Sequence, residues 1–325
     1  MNACKLAAGV VFSQLLCAPV YALCSVVSTS PAAFGSVSSI LVRTTSQSSS
    51  TLNAGLSCTG SLLTLLSTND HFYLTVTSTT GGLVGPTGDV IGYTLYANNS
   101  SSYPVARSVQ YDFARNGIID ALGLLGGTTP RTVPLYLGTL IGSNVAAGVY
   151  TETLSLAWSW NYCSGIGALG ICLGRDIGSG NQTLTVNLTV TNDCAITKTD
   201  IAFGSAPVVS AFSAVSQTLN LACTKGSSYT VGLDDGKQPV SVGGRRRMIF
   251  GSNYLAYDIF KGTSAAVRWG STGTARRSSS DAEVNPGLGT GTGSQIFSYY
   301  AKVYTDQTTP PAGIYADSVI LDVAF

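Results

Sequence analysis

Two tandem all-β domains, the second short of its last strand, are what this 325-residue sequence predicts. Three observations carry that expectation: a long internal repeat, apolar residues alternating at period two, and a terminal strand found in only one repeat. The alternation is plain in Phe72-Tyr73-Leu74-Thr75-Val76 and in Val319-Ile320-Leu321-Asp322-Val323-Ala324-Phe325. Clusters of Gly, Pro, Asn and Ser interrupt it at short intervals, and no segment holds a 3.6-residue period for three turns. Short strands with regular turns make an immunoglobulin-like β-sandwich the expected form of each domain, with a β-barrel as the alternative.

The chain opens with a short polar start containing Lys5, an apolar run from Leu6 to Leu16, and the small-residue site Val20-Tyr21-Ala22. This pattern predicts a signal peptide over 1–22, too short and wrongly flanked for a membrane span. Cleavage after Ala22 removes Cys4 and Cys17 from the fold.

Charge is sparse. The 17 basic and 16 acidic residues make up 10% of the chain, against about 25% in an ordinary soluble domain. A near-neutral chain without a basic block argues against a nucleic-acid partner, which needs clustered Lys and Arg for phosphate neutralisation. The one local cluster, Arg245-Arg246-Arg247, is expected to be a solvated loop.

Six cysteines remain after the signal peptide, and an even count in an exported chain implies disulfides. The repeat assigns them. Cys24 opens CSVVSTSPAAFG and is followed by AGLSCTG; Cys194 opens CAITKTDIAFG and is followed by LNLACTKG. The same order of cysteine, strand, AFG, hydroxyl-rich strand and cysteine therefore occurs twice, which pairs Cys24 with Cys58 and Cys194 with Cys223. Cys163 and Cys172 are left for each other. Tyr93-Thr94-Leu95-Tyr96 matches Tyr257-Asp258-Ile259-Phe260. AGVYTETLSLAWSW (147–160) matches AGIYADSVILDVAF (312–325), with Tyr150 on Tyr315 and Trp160 on Phe325. So long a period means two homologous domains, 23–191 and 192–325, and not a solenoid.

After Trp160 the first repeat adds a glycine-rich stretch and then QTLTVNLTVT, where Leu184, Val186, Leu188 and Val190 share one face of a half-buried strand. The second repeat has no such strand. Four inward apolar side chains at about 1.5–3 kcal/mol each amount to roughly 6–12 kcal/mol, comparable with the about 5–15 kcal/mol that holds a whole domain. Open strand edges would also be left unpaired. The second domain is thus expected to take a strand from another chain, by donor-strand complementation along Val319, Leu321, Val323 and Phe325.

On these residues the sequence resembles the spore coat protein U domain family, in its paired Cys…FG…C segments and its closing P-x-GxYxD-x-V-x-L-x-V-x-F. The same domain builds subunits of archaic, Csu-like chaperone–usher pili, and two copies in one exported chain resemble a tip subunit. The resemblance covers nearly all of the chain after residue 22. It implies passage through the periplasm to the cell surface, with a periplasmic chaperone, an outer-membrane usher and an adjacent pilin subunit as partners, and a role in attachment and biofilm formation. Shaft subunits of this family donate a segment ahead of their first cysteine. The expected mature start, Leu23-Cys24, offers none, which fits a tip position. The carboxylate of Phe325 is a candidate chaperone contact by the same resemblance.

The first repeat also has three apolar connections: GGLVGPTGDVIG (81–92), RNGIIDALGLLGGTTP (115–130) and NYCSGIGALGICLGRDIG (161–178). The second repeat's counterparts to the first two are charged and hydroxyl-rich. Loops are usually polar because they face water, so Leu83, Val84, Ile118, Ile119, Leu122, Leu124, Leu125, Ile166, Leu169 and Ile171 are candidate surface-binding residues for an abiotic or host surface. The resemblance implies the same, through hydrophobic loops at the tip. The alternative is that these connections fold back as a satellite core, Ile118 to Leu125 as one short helix. A rival binding mode is a glycan site using Asp112, Asn116, Asp120, Asn161, Tyr162 and Asp176; a structural coat role for the same domain is a third reading. Trp158 and Trp160 are expected in the core. One histidine, His71, gives no basis for a His-based triad or metal cluster. The two glutamates, Glu152 and Glu283, suggest no catalytic pair, since Glu152 matches Asp317 in the repeat. No catalytic group, cofactor or metal is expected.

Overall fold

The computed structural model describes residues 23–61, 69–115, 118–121, 126–168 and 171–325. The expected signal peptide, and with it Cys4 and Cys17, lies outside these residues. Strands dominate, as the period-two pattern requires, and the few helical turns are single short ones such as Ser39–Thr44.

The central sheet of the first domain contains four strands that position the site: β1 (Ala32–Ser38), β2 (His71–Thr77), β3 (Gly148–Ala168) and β4 (Ile171–Thr191). Its order runs Gln110–Asp112, β2, β3, β4, β1, with β4 antiparallel to β3 and parallel to β1. A four-stranded sheet (Ser48–Thr51, Leu135–Thr139, Tyr93–Tyr96, Pro104–Val105) supplies the facing layer. Inward positions of both sheets meet in one core, where Trp158 is 2% and Trp160 5% exposed. The Trp158 indole N–H donates to the Ala54 carbonyl at 2.8 Å, which removes the cost of burying that donor.

The second domain has a five-stranded sheet, Cys194–Thr197, Val215–Cys223, Gln295–Val303, Asn253–Lys261 and Arg246–Phe250 in spatial order. Facing it is a small sheet of Arg277–Ser278, β5 (Thr230–Leu233) and β6 (Leu321–Ala324). Its core gathers around Trp269, Phe297 and Tyr299. The repeat is visible in the pairing. Cys24 sits directly opposite Cys58, and Cys194 opposite Cys223, and all three expected disulfides, including Cys163–Cys172, are formed.

Two expectations are corrected here. The arginine cluster is not a solvated loop: it opens an edge strand, and Arg246 is fully buried against Asp258 at 2.7 Å. Arg246 also donates to the carbonyls of Leu233, Asp234 and Trp269, so its charge is met within the core. Arg245 instead lies over the Tyr304 ring and pairs with Asp306. The stretch 161–178 is not a glycine loop either. It continues β3 and β4 as one hairpin, paired from Asn161↔Ile177 out to Ala168↔Ile171.

The domains touch through polar contacts. Ser39 and Thr224 share a buried hydroxyl–hydroxyl bond of 2.7 Å, Lys225 pairs with Asp89 at 2.5 Å, and Asn144 donates to the Thr290 carbonyl at 3.0 Å.

Candidate functional site

β3 and β6 occupy the same place in their domains. Leu156 and Trp158 of β3 face Val76 and Leu74 of β2; Leu321 and Val323 of β6 face Leu233 and Val231 of β5. This is the residue-for-residue match that places Tyr150 on Tyr315. The two domains differ at the other edge of that strand.

In the first domain the edge is filled by β4. Leu184, Val186, Leu188 and Val190 point inward and are at most 2% exposed. In the second domain β6 has no neighbour on that edge among the described residues. A cleft of about 470 Å³ lies alongside, walled by residues 198–203 on one side and 315–321 on the other, and floored by Leu219, Met248, Ile259, Trp269 and Tyr299. Val319, Leu321 and Val323 pack against the core but stay half-exposed, and Phe325 is 52% exposed with its ring 6.2 Å from Tyr229. Tandem occurrence of AFG was the overlooked signal for the opposite wall. In the first domain AFG belongs to β1, which pairs with β4; in the second, Ile201 and Phe203 face open space.

The stretch 315–321 and its first-domain counterpart keep one acidic position in both domains. Glu152 is 3% exposed and receives both arms of Arg107 at 2.8 and 3.1 Å, with further bonds from the Ser78 and Thr80 hydroxyls. Burial alone would raise the Glu152 pKa; these hydrogen bonds and the guanidinium charge outweigh it and hold the carboxyl below its ordinary range. Asp317 accepts from the Tyr257 hydroxyl at 2.9 Å and from the Lys237 amide, and lines the cleft. Burial and this carboxylate push the Tyr257 pKa up.

The apolar connections divide. Leu83 is fully buried, because it pairs with Ile91 while Val84 pairs with Thr151 and pins the connection to β3. Ile118 (4%) and Ile119 (0%) are buried on a one-turn helix, Ile118–Ala121, with the Ile119 amide bonded to the Phe113 carbonyl. These three are core residues and cannot present themselves to a surface, so the fold-back alternative holds for them. Val84 is half-buried. Ile166 and Ile171 lie on the hairpin, and Leu122, Leu124, Leu125 and Leu169 lie outside the described residues.

The hairpin is anchored at its base. Arg175 reaches Asp70 at 2.7 Å and Asn161 at 2.6 Å, and Asp176 accepts the Cys24 amide at 2.7 Å. Tyr162 is buried beside Phe72. Beyond this clamp, Cys163–Cys172 cross-links the two arms, and residues 164–174 contain no charged side chain. Four polar residues of the glycan reading serve the fold: Asp112 caps the Phe72 and Ala114 amides, and Asn161, Tyr162 and Asp176 serve the hairpin base; Asn116 and the Asp120 side chain lie outside the described residues.

A two-domain sandwich protein with one completed and one open groove is the class these features define. The chain belongs to the Spore Coat Protein U domain family, whose domain matches residues 11–157 and again 180–322. The gap between the matches is the hairpin extension. The second match begins at residue 180, so the half of β4 that completes the first domain aligns with the start of the second repeat. Among solved structures the chain is similar to the CsuC–CsuE chaperone–tip adhesion subunit pre-assembly complex from the archaic chaperone–usher Csu pili of Acinetobacter baumannii. That likeness is 27% identical with a TM-score of 0.63, covering 93% of this chain and 100% of that one. The CupB6 tip adhesin of Pseudomonas aeruginosa also aligns over 93% of this chain and 94% of its own, at 11% identity and a TM-score of 0.29, too low to carry an argument. No curated protein matches the chain.

Proposed function

We propose that this protein is the tip adhesin of an archaic chaperone–usher pilus, attaching cells to surfaces and supporting biofilm formation. Its first domain meets the surface, and its second takes a strand from the adjacent subunit, before that from a periplasmic chaperone. The observation that carries this reading is the asymmetry of the two grooves, one filled by β4 and one open beside β6. The similar CsuE structure is a tip subunit bound to its chaperone, which supports the chaperone as first occupant. An outer-membrane usher then follows for the exchange.

The filled groove supplies the register for the open one. Leu184, Val186 and Leu188 face Leu154, Glu152 and Tyr150 across the β3–β4 ladder. Their equivalents on an incoming strand would face Val319, Asp317 and Tyr315, running antiparallel to the end of the chain and parallel to residues 201–206. That strand would alternate apolar residues inward, because a slip of one residue turns all of them to solvent.

The surface contact is assigned to the far end of the hairpin 161–178, with Ile166, Leu169 and Ile171 as candidates and Leu122, Leu124 and Leu125 as further ones. At about 3.3 Å per residue, β4 runs on the order of 65 Å from this tip toward the second domain, so the apolar end points away from the shaft attachment. This reading requires these aliphatic side chains to form an exposed patch larger than a soluble monomer normally carries. The test is retention of the full chain on alkyl-coated against hydrophilic glass, beside an Ile166→Asp, Ile171→Asp variant. Selective retention on alkyl, lost in the variant, is expected. Equal retention of both proteins on both surfaces would overturn the hydrophobic contact.

A further inference from the structure

β6 is a four-residue strand with one neighbour, and strands of that kind fray unless something besides the ladder holds them. Here the something is an arginine from outside the strand pair. Arg276 follows the turn Gly273–Ala275 and crosses the outer face of β5. Its guanidinium reaches the Asp322 carboxylate of β6 at 2.6 Å, the Thr230 carbonyl of β5 at 2.9 Å and the Thr230 hydroxyl at 2.8 Å, and it is held from behind by the Ser271 carbonyl at 3.0 Å. The path over β5 is open because residue 232 is glycine. A Cβ there would stand 2.3 Å from Arg276 Nη1 and 2.6 Å from Asp322 Oδ1, so a side chain at 232 would push the guanidinium and the carboxylate out of their present positions.

We propose that Arg276, Gly232 and Asp322 form a latch that keeps β6 seated on β5 while its other edge is empty, and thereby presents a formed edge to the incoming strand. This rests on the strand-accepting reading of the cleft.

The first domain is the internal control. Gly232 and Asp322 face each other, and the pair at the equivalent ladder position is Thr75 and Ala157. Neither can take part in such a bridge. There β3 is held from both sides, by β2 and β4, and needs no third support. A second pin occurs one step earlier. The Ile320 amide donates to the Asp234 carboxylate at 2.8 Å while the Asp234 amide donates to the Ile320 carbonyl at 2.9 Å; the equivalent first-domain pair is Thr77 and Ser155. At these two ladder positions a charged side chain thus appears only where the second neighbour is missing. Arg276 is a positioning residue, because it lies on the outer face and does not line the cleft.

A latch of this kind acts before capture and becomes redundant afterwards, when the new strand holds β6 from its other side. That separates it from a general structural role. The experiment uses the full chain and a synthetic peptide of residues 178–192, whose first-domain partners run from Gly148 to Trp160, so that the transferred register carries it along the whole of β6. Three variants are compared: Arg276→Gln, Asp322→Asn, and Gly232→Ala, which displaces the guanidinium without removing a charge. Expected results are a capture rate about five- to tenfold lower in each, with Arg276→Gln and Asp322→Asn together no slower than either alone. The release rate should change less than about twofold, since the seated peptide takes over the latch's role. Amide exchange at 321–324 should quicken in the peptide-free variants, and exchange in Val215–Cys223 should stay as in the wild type, which controls for folding. Unchanged capture and exchange in the variants, with normal peptide binding by the wild type, would overturn the latch alone. A wild-type chain that does not bind the peptide would overturn the strand-accepting reading, and the latch with it.

Discussion

Leu188→Ala tests how much the completing strand contributes. Leu188 is fully buried opposite Tyr150 on β3. The substitution removes three carbons, about 2.4 kcal/mol of transfer free energy. A cavity term is added, because a side chain held between two strands leaves little room for collapse. The total is about 3–4 kcal/mol, a large share of a domain's stability. The neighbouring Thr189→Ala, on the solvent face of β4, should stay within about 0.5 kcal/mol. Equilibrium urea unfolding of the full chain with disulfides intact is the assay. Trp158 and Trp160 report on the first domain and Trp269 on the second. A loss below about 1 kcal/mol for Leu188→Ala, or equal losses for the two substitutions, would refute the inward register of β4 and the register transferred from it to the open cleft.

Three further outcomes are expected. Arg107→Ala strips the cation from a carboxylate with a fully buried side chain and should cost about 3–5 kcal/mol, with much of it restored by Glu152→Gln in the same chain; urea unfolding decides. Because the Glu152 pKa is lowered from 4.5 in the folded protein, its contribution is fully present above that value and is lost as pH falls through the folded pKa. An acid titration of wild type against Glu152→Gln should show stability falling faster below about pH 4.5 in the wild type. Lys225→Ala removes a pair whose lysine is 44% exposed and should cost no more than about 0.5 kcal/mol, seen as a small loss of coupling between the two unfolding transitions.

Much of the fold was legible because period-two alternation and a duplicated cysteine frame are local signals. The repeat alone aligned Tyr150 with Tyr315, and the structure gives the two hydroxyls the same partner, the carbonyl four residues back, Ala146 and Pro311. Apolar loops were read less well. Leu83, Ile118 and Ile119 carry the same aliphatic signal whether they face water or the core, and what decides is pairing with Ile91 and packing near Phe113, which spacing does not encode. Arg246 misled for the same reason: three arginines in a row suggest solvent, yet alternation along an edge strand turns the middle one inward onto Asp258. Gly232 was invisible as a site residue because its role is to leave space.

The central claim, that the cleft beside β6 takes a strand in the register of β4, is tested most directly by site-specific cross-linking. Val319 occupies the position of Leu154, which faces Leu184. A full chain carrying Val319→Cys is mixed under mild oxidation with peptides of residues 181–192 that carry Leu184→Cys or Thr185→Cys. The account predicts rapid disulfide formation with the first peptide and formation at least about tenfold slower with the second, whose cysteine points to the opposite face. Equal rates, or no cross-link with either peptide, would contradict it.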